Sequence, residues 1–160
     1  MKSVSIFVDV QNVYYTVRQK YSRNFNYKFF WEEVTKERRV VSAIAYAVAR
    51  GDEKQEGFQN ILRNIGFEVK LKPYISRADG SSKGDWDVGI AIDVLDHAAN
   101  SDIVVLVSGD GDFALLLNNV CSKFPIECEV YGVSSLTANA LIKEASRFIP
   151  IDEKYLLPKR

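Results

Sequence analysis

The sequence of 160 residues is poor in the side chains on which several common kinds of site depend. Its single histidine, His97, is predicted on the polar side of a helix, so neither a Ser/His/Asp nor a Cys/His triad can be assembled. The two cysteines, Cys121 and Cys128, have no CxxC spacing and no histidine nearby. We interpret them as buried thiols of a reducing compartment rather than as metal ligands or a disulfide. No GxxxxGKS or GxxxxGKT loop is present, which excludes a P-loop nucleotide site.

An excess of charge of one sign and long apolar runs are also missing. The formal net charge is +0 and the sequence pI is about 6.6, so no overall positive field indicates nucleic-acid binding, although an acidic site can cancel a local basic patch. No apolar run approaches membrane-spanning length, and the amino terminus enters a predicted strand without a charged-then-apolar leader. We therefore expect a cytoplasmic protein without membrane contact. The 47% of hydrophobic residues is typical of an ordinary folded domain rather than a disordered chain.

Short apolar runs alternate with helical periods along the chain. This alternation predicts an α/β fold in which a mostly parallel sheet carries helices on both faces. No linker or repeat divides the chain, so we predict a single domain over residues 1–160. Strands are expected at residues 3–8, 40–48, 67–72, 102–107, 126–131 and 148–149. Helices are expected from a cap at Asn12, over 29–36, up to Ile65 with Gly66 just beyond, and over 85–100, 112–123 and 136–146, with a polar loop over 75–84.

Three aspartates come directly after predicted strands. Asp9 follows the first strand, and Asp110 and Asp112 follow the 102–107 strand within the turn Ser108–Phe113. An aspartate after a strand is often a turn former or a helix cap, which is the structural alternative for each one alone. The carboxyl ends of parallel strands share one edge of a sheet, and neighbouring strands lie about 4.8 Å apart. If these two strands are neighbours, the three carboxylates can meet at the edge where open α/β sheets bind ligands.

A fourth aspartate is expected from the helix over 85–100. At about 100° per residue, the apolar stripe on the wheel of this helix consists of Val88, Ile92, Leu95 and Ala99. Asp87 falls inside the apolar arc, whereas Asp93 falls on the polar side and is predicted to be solvated. A carboxylate that is turned inward needs a partner for its charge, and a metal ion would serve. Asp87 is therefore the fourth candidate ligand.

Four carboxylates without a usable histidine or cysteine cluster favour a hard cation, Mg²⁺ or Mn²⁺, over zinc. A cation of this kind suits phosphoryl chemistry, because it lowers the pKa of a bound water and offsets negative charge on the transition state. The sequence therefore predicts a metal-dependent site for reactions at phosphate.

Three blocks of the sequence together resemble the signature blocks of the LabA-like branch of NYN domains, which belong to the PIN-like nuclease superfamily. The blocks are Phe7–Asn12, Lys83–Asp93 and Ser108–Phe113, and they occur in the family's order across essentially the whole chain. The resemblance implies a PIN-like fold, a three-layer α/β/α sandwich. It also implies a metal-dependent nuclease site that acts on RNA, which would be an endoribonuclease with RNA as its partner.

The resemblance further assigns roles to individual residues. Metal-binding and catalytic acids are implied at Asp9, Asp87, Asp110 and Asp112, and supporting residues at Asn12 and Ser108. The family usually has one residue between its Lys-Gly pair and the acid, whereas here Asp85 and Trp86 separate Gly84 from Asp87. The downstream spacing Asp-Val, four residues, then Asp places the family acid at Asp87, which agrees with the helical wheel. Asp85 is then an extra acid or a helix cap.

Cations and aromatic rings near the acidic residues are the features that an RNA substrate would need. One group lies after the first strand and consists of Arg18, Lys20 and Arg23 among Tyr14, Tyr15 and Tyr21. A second group consists of Lys70, Lys72, Arg77 and Lys83, with Tyr74 and Trp86 among them. Solvated strand and helix faces are the alternative interpretation of both groups. Lys83 is the predicted phosphate contact, because it lies two residues before Asp85 across Gly84 and so close to the acidic residues.

Two other functions are consistent with parts of the pattern. The acidic turn also looks like the distal motif of haloacid-dehalogenase phosphatases, but these need a second aspartate two residues after the first, and Gln11 stands there after Asp9. A catalytically silent RNA- or protein-binding module of the same fold is the non-enzymatic alternative, which the neutral net charge favours. Four unneutralised carboxylates would repel a phosphate backbone, which argues against that module. The oligomeric state is not determined by the sequence, and a homodimer is left open.

Overall fold

The computed structural model describes residues 1–49, 51–73, 75–76, 82–83 and 85–159. Its strands are β1 (Lys2–Asp9), β2 (Arg38–Ala49), β3 (Glu68–Pro73), β4 (Ile75–Ser76), β5 (Ser82–Lys83), β6 (Ile103–Val107), β7 (Glu127–Gly132) and β8 (Arg147–Pro150). Its α-helices are α1 (Val10–Tyr21), α2 (Tyr27–Val34), α3 (Glu53–Ile65), α4 (Asp87–Ala98), α5 (Phe113–Lys123) and α6 (Asn139–Glu144). The loop predicted over 75–84 falls mostly outside the described residues, and its described parts, β4 and β5, pair antiparallel.

Six of the strands form one parallel sheet in the order β3-β2-β1-β6-β7-β8. The prediction of an α/β fold with a parallel sheet is confirmed. β1 lies between β2 and β6, so the two strands that precede the acidic residues are neighbours, as the acidic-site hypothesis required. The chain winds outward from β1 in both directions, which makes the boundary between β1 and β6 a topological switch point. Crevices for ligands form at such points, at the carboxyl ends of the strands.

Two apolar cores lie on opposite faces of the sheet, and β1 contributes to both. Its residues Val4, Ile6 and Val8 pack with α1, α2 and α3, whereas Phe7 packs with α4, α5 and α6. Successive side chains of a strand point to opposite faces, so a strand covered on both faces is apolar over most of its length. The result is the three-layer α/β/α sandwich. None of the described helices is long and apolar enough to cross a membrane.

The last predicted helix, over 136–146, is interrupted. A 3₁₀ turn at Ser134–Leu136 is followed by the extended residues Thr137 and Ala138, and α6 begins only at Asn139. The extended segment packs against the turn after β6, where the backbone N–H of Ala138 donates to the carbonyl oxygen of Gly109 at 3.1 Å. A tertiary hydrogen bond at this point replaces a helical one, which the helical period could not reveal.

The face that α4 buries differs from the one predicted by the helical wheel. Ile90, Val94 and Ala98 are fully buried, whereas Val88 is 73% exposed and Ile92 is 53% exposed. The helix is apolar over most of its circumference, so its period alone could not select the core face. The indole N–H of Trp86, just before the helix, donates to the carbonyl oxygen of Ala47 at 2.8 Å and so fixes how the helix meets β2. The predicted stripe is therefore wrong, although Asp87 does lie three residues before Ile90 on the buried side.

The two cysteines are free thiols and lie side by side. Cys121, in the last turn of α5, is partly buried, and Cys128, in β7, is fully buried. Their Sγ atoms are 2.8 Å apart. Burial, followed by the neighbouring Cys121 thiol, raises the pKa of Cys128 well above its ordinary range. The interpretation of both residues as structural thiols agrees with this arrangement, with Cys121 less buried than expected.

Candidate metal centre

Three separate elements bring acidic side chains to the carboxyl edge of the sheet at the switch point. Asp9 is the last residue of β1, and Asp110 and Asp112 lie in the turn between β6 and α5. Asp87 is the first residue of α4, which packs on the face of β1 and β6 that carries the second core. The four predicted acids therefore all lie at this one edge.

Three of these acids form a compact cluster. Asp87, Asp110 and Asp112 each offer a carboxylate oxygen, and the three oxygens lie within 4.8 Å of one another. Asp87 and Asp110 are half-buried and Asp112 is exposed, so the cluster opens to solvent on the side of α5. Three carboxylate oxygens at this spacing, without nitrogen or sulfur donors, suit a hard cation such as Mg²⁺ or Mn²⁺. Asp9 is not part of this cluster at that spacing.

Asp9 lies deeper, directly beside the cluster. It is 7% exposed, and its carboxylate accepts a hydrogen bond from the Ser108 hydroxyl at 3.2 Å and from the Asn12 backbone N–H at 3.4 Å. The second bond makes Asp9 the N-cap of α1, so the prediction that Asn12 caps this helix is wrong. Asn12 is the third residue of the helix after the N-cap, and its backbone N–H is one of the donors that an N-cap side chain satisfies.

Burial raises the pKa of Asp9 from 3.8 to about 6. The hydrogen bonds from Asn12 and Ser108 oppose this rise, and the negative charges of Asp110 and Asp85 add to it. The carboxylate therefore lies in a place where the charged form is disfavoured, and among the described residues two donors compensate it.

Asp87 is shifted further. Burial is the largest cause of the rise of its pKa to about 7, followed by the charge of Asp110 and a side-chain hydrogen bond with Asp110. The charges of Asp85 and Asp9 raise it further. Like charges held at one site disfavour joint ionisation, and a cation between them removes that penalty. The donor set and the crowding of charge both fit a divalent cation.

The turn after β6 is tied to the loop after β1. The Asn12 side-chain oxygen accepts from the Gly109 backbone N–H at 2.9 Å, and the Ser108 hydroxyl oxygen accepts from the Asp110 N–H at 3.2 Å. The Asp112 N–H in turn donates to the Asp110 carboxylate at 2.9 Å. These bonds fix where the carboxylates of Asp9 and Asp110 point. The structure therefore places both residues expected to support the site, Asn12 and Ser108, in direct contact with it.

The two glycines of the turn are required by close packing rather than by backbone conformation. A Cβ atom on Gly109 would come within 2.8 Å of the Leu136 carbonyl oxygen, and one on Gly111 within 2.9 Å of the Ala138 side chain. The extended segment before α6 therefore backs the turn and holds it against the sheet. The turn that carries Asp110 and Asp112 is therefore tightly packed.

Asp85 and Asp93 take roles outside the cluster. Asp85 is exposed, and its carboxylate accepts from the Asp87 N–H at 3.3 Å, so it acts at the start of α4. Asp93 is half-buried and accepts from the Tyr46 hydroxyl and the Lys70 ammonium group, both at 2.7 Å. The prediction of a solvated Asp93 is wrong, because β2 and β3 place these two partners over it.

Trp86 and Lys72, which the sequence suggested only as candidate substrate contacts, pack against each other at the edge of the site. The Trp86 ring packs 5.4 Å from the Tyr46 ring, and the Lys72 ammonium lies 5.5 Å from the Trp86 ring and donates to the Asp85 carbonyl oxygen. Lys70 is engaged in its ion pair with Asp93. Lys83, the predicted phosphate contact, belongs to β5, and its side chain lies outside the described part of the chain.

Comparison with known proteins identifies the family. The sequence model of the NYN domain matches residues 3–152. The chain belongs to the NYN domain family. NYN domains have a PIN-like fold, so the resemblance seen in the three signature blocks and the predicted fold class are confirmed.

Two relatives of this NYN domain are similar over nearly their whole length. The Low amplitude and bright protein LabA of Synechococcus elongatus is 26% identical over 162 residues, which cover 94% of this chain and 84% of LabA. The crystal structure of VPA0982 from Vibrio parahaemolyticus RIMD 2210633, a protein of unknown function, superposes with a TM-score of 0.94 at 53% identity. That match covers 98% of this chain and 96% of the Vibrio chain. Neither relative's name states a reaction.

Proposed function

We propose that this NYN domain is a metal-dependent ribonuclease that hydrolyses phosphodiester bonds within RNA. The observation that carries the proposal is the convergence of Asp87, Asp110 and Asp112, with oxygens within 4.8 Å of one another, at the switch point of a PIN-like sheet. Membership of the NYN family supports a nuclease, because NYN domains are typically nucleases that act on RNA.

The proposal assigns the carboxylates of Asp87, Asp110 and Asp112 to one or two divalent cations, Mg²⁺ or Mn²⁺, with Asp9 completing the acidic site. When bound, the cation lowers the pKa of a water molecule and offsets charge on the reacting phosphate. The raised pKa values of Asp9 and Asp87 support this assignment, since the charged form of each carboxylate is disfavoured in the absence of a cation that neutralises it.

The neighbouring residues orient the acids. The Ser108 hydroxyl and the Asn12 side chain restrain Asp9 and the turn that carries Asp110. Mutation of a residue that hydrogen-bonds to a metal ligand typically lowers metal affinity or activity by about 10–100-fold. Asn12 and Ser108 are therefore proposed as positioning residues and not as groups that touch the reacting phosphate.

The test is incubation with labelled RNA and Mn²⁺ or Mg²⁺, with Asp110→Asn as the variant and Asp96→Asn, an exposed aspartate on α4, as the matched control. Wild type and Asp96→Asn should cleave the RNA. Asp110→Asn should lower the rate by more than about 100-fold, because the loss of a metal ligand costs more than the loss of a residue that only hydrogen-bonds to a ligand. Cleavage at the wild-type rate by Asp110→Asn contradicts the proposal. A circular RNA, which has no ends, tests endonucleolytic cleavage, because only an endonuclease opens it.

A silent RNA- or protein-binding module of the same fold is the second candidate. The formal net charge of +0 is the observation that favours it, because the protein as a whole has no positive field that would attract an RNA substrate to the acidic site. A metal titration separates the two functions. A nuclease should be stabilised against heat by Mn²⁺ or Mg²⁺ through the acidic cluster, whereas a module that has lost its chemistry should show no dependence on divalent cations.

A further inference from the structure

A cleft with a volume of about 590 Å³ lies on the opposite side of β1 from the acidic cluster. Residues of α1, of the segment before α2, of the end of β2 and of the start of α3 line it. Its floor is apolar, with Val13 and Phe58 among the residues beneath it. None of the four candidate acids lines it, so it is a second concave feature at this edge of the sheet.

Two tyrosine rings stand at the mouth of the cleft. Tyr14 is 53% exposed and Tyr15 is 51% exposed, and their ring centroids are 5.5 Å apart at an interplanar angle of 76°. Each tyrosine therefore leaves about half of its area open to solvent and to a ligand. Aromatic rings in this position are stacking platforms for nucleobases, and every base offers a π face to them.

Two cations flank the tyrosines. Arg18 lies one helical turn after Tyr14 on α1, and Lys54 lies in the first turn of α3, and both line the cleft with exposed side chains. Neither forms an ion pair with an acid among the described residues. The cleft also contains Asp52, but its carboxylate is used as the N-cap of α3 and accepts from the Gln55 N–H at 2.7 Å.

The cleft lies next to the acidic site along the chain and at the same edge of the sheet. Val10 and Gln11, which line the cleft, directly follow Asp9. Ala47 and Val48 also line it, at the end of β2 that pairs with the end of β1, where Asp9 stands opposite Tyr46. A polymer that reaches the carboxylates can therefore pass over the first turn of α1 into the cleft.

We propose that this cleft is a subsite for single-stranded RNA, in which bases stack on Tyr14 and Tyr15 while Arg18 and Lys54 contact the phosphates. A single strand is required because the faces of bases in a duplex are already covered by their neighbours. The inference rests on the proposed ribonuclease function and names its substrate class, single-stranded rather than double-stranded RNA.

The experiment measures the fluorescence anisotropy of a labelled oligouridine in Ca²⁺, with a gel to verify that the RNA stays intact. The variants are Tyr14→Ala combined with Tyr15→Ala, and Arg18→Ala. The controls are Leu115→Ala, an exposed apolar residue on α5, and Lys143→Ala, an exposed cation on α6. The double tyrosine variant should bind at least about 5-fold more weakly. Arg18→Ala should lower the salt slope, the dependence of log affinity on log salt, by about 0.7. Both controls should match wild type.

Three results would overturn the subsite: no binding of the oligouridine by wild type, equal binding by wild type and both cleft variants, or a preference for duplex RNA of the same length. Circular dichroism verifies that each variant is folded. Hydrolysis of bis(p-nitrophenyl) phosphate with Mn²⁺ tests the metal site separately, because this phosphodiester carries no nucleobase. The rates of wild type and Asp110→Asn are compared. Hydrolysis that depends on Asp110, together with unaltered RNA binding by the cleft variants, rejects the subsite and keeps the nuclease. Lost RNA binding by those variants without such hydrolysis keeps the subsite and rejects the nuclease.

Discussion

Asp87 and Asp93 are aspartates of the same helix, less than two turns apart, but their surroundings have opposite charge. Asp93 receives hydrogen bonds from the Tyr46 hydroxyl and the Lys70 ammonium, so its charge is compensated by the protein itself. Asp87 faces Asp110 and Asp112, and its pKa rises to about 7. The contrast shows that a half-buried acid marks a candidate site only when its neighbours fail to neutralise it.

The largest expected effect is a loss of RNA cleavage when Asp87 is replaced. Asp87→Asn should lower RNA cleavage by more than about 100-fold, because it removes a proposed metal ligand. Asp93→Asn, the matched variant on the same helix, should lower cleavage by less than about 10-fold. Rates with labelled RNA and Mn²⁺ measure both. A larger loss for Asp93→Asn than for Asp87→Asn would reverse the assignment of the two residues.

The second expected effect is a loss of stability when Asp93 is replaced. Asp93→Ala should lower the free energy of unfolding by about 2 kcal/mol, because it leaves the Tyr46 hydroxyl without its acceptor and Lys70 without its partner. Lys70 is partly exposed, so solvent limits the contribution of the ion pair. Asp96→Ala on the exposed face of α4 is the control and should change stability little. Urea denaturation measures the difference, and equal stability of the two variants would contradict it.

The third effect is a pH dependence that arises from the uncompensated acids. Asp9 and Asp87 have pKa values raised from 3.8 to about 6 and about 7, so between these limits the folded protein binds more protons than the unfolded chain. Stability of the metal-free protein should therefore fall as the pH rises from about 4 to 8. Added Mn²⁺ should raise the melting temperature by several degrees at pH 8 and by much less at pH 5, where protons compete for the carboxylates.

Differential scanning fluorimetry at both pH values, with EDTA and with Mn²⁺, measures this effect. The same titration with Asp110→Asn is the control, because that variant lacks one proposed ligand and should respond weakly to Mn²⁺. A Mn²⁺ effect that is the same at pH 5 and pH 8, or that is as large in Asp110→Asn, would show that the acids are not the binding site.

The smallest expected effect concerns Lys83, which stays a prediction from the sequence. Lys83→Ala should weaken RNA binding by about 3-fold, as the loss of one exposed phosphate contact does at moderate salt. It should leave the affinity for Mn²⁺ unchanged. Fluorescence anisotropy and metal titration test the two parts, with Lys143→Ala as the control. Equal RNA affinity in Lys83→Ala and wild type would remove Lys83 from the substrate side.

The sheet could be predicted from the sequence because its central strands β1, β6 and β7 are buried almost throughout and therefore read as short apolar runs. The turn after β6 and the end of β1 could be placed at one edge by the rule for parallel strands alone, and the pairing of β1 with β6 bears this out. What the pattern did not contain was the packing around the turn, because Leu136 and Ala138 approach Gly109 and Gly111 from a distant part of the chain.

The environment of α4 was the least predictable part of the candidate site. Its helical period centred the apolar stripe on Val88 and Ile92, which are exposed, because an apolar helix has no single stripe, although the wheel did place Asp87 on the inward side. The partners of Asp93 come from positions 47 and 23 residues away in sequence. Burial of a carboxylate with partners of this kind depends on how strands are ordered in the sheet, which no local spacing encodes.

The hydrogen bonds between the loop after β1 and the turn after β6 have a consequence for the folding of the chain. The Ser108–Asp9 and Asn12–Gly109 bonds join residues 99 and 97 positions apart, so they form only when two distant segments have already paired. Closing a loop of that length is slow and costs entropy before any contact compensates it. Asp9 is therefore brought beside the acidic turn only once β1 has paired with β6. A nascent chain that has not yet delivered β6 and its turn carries Asp9 and Asp87 without Asp110 and Asp112 as neighbours.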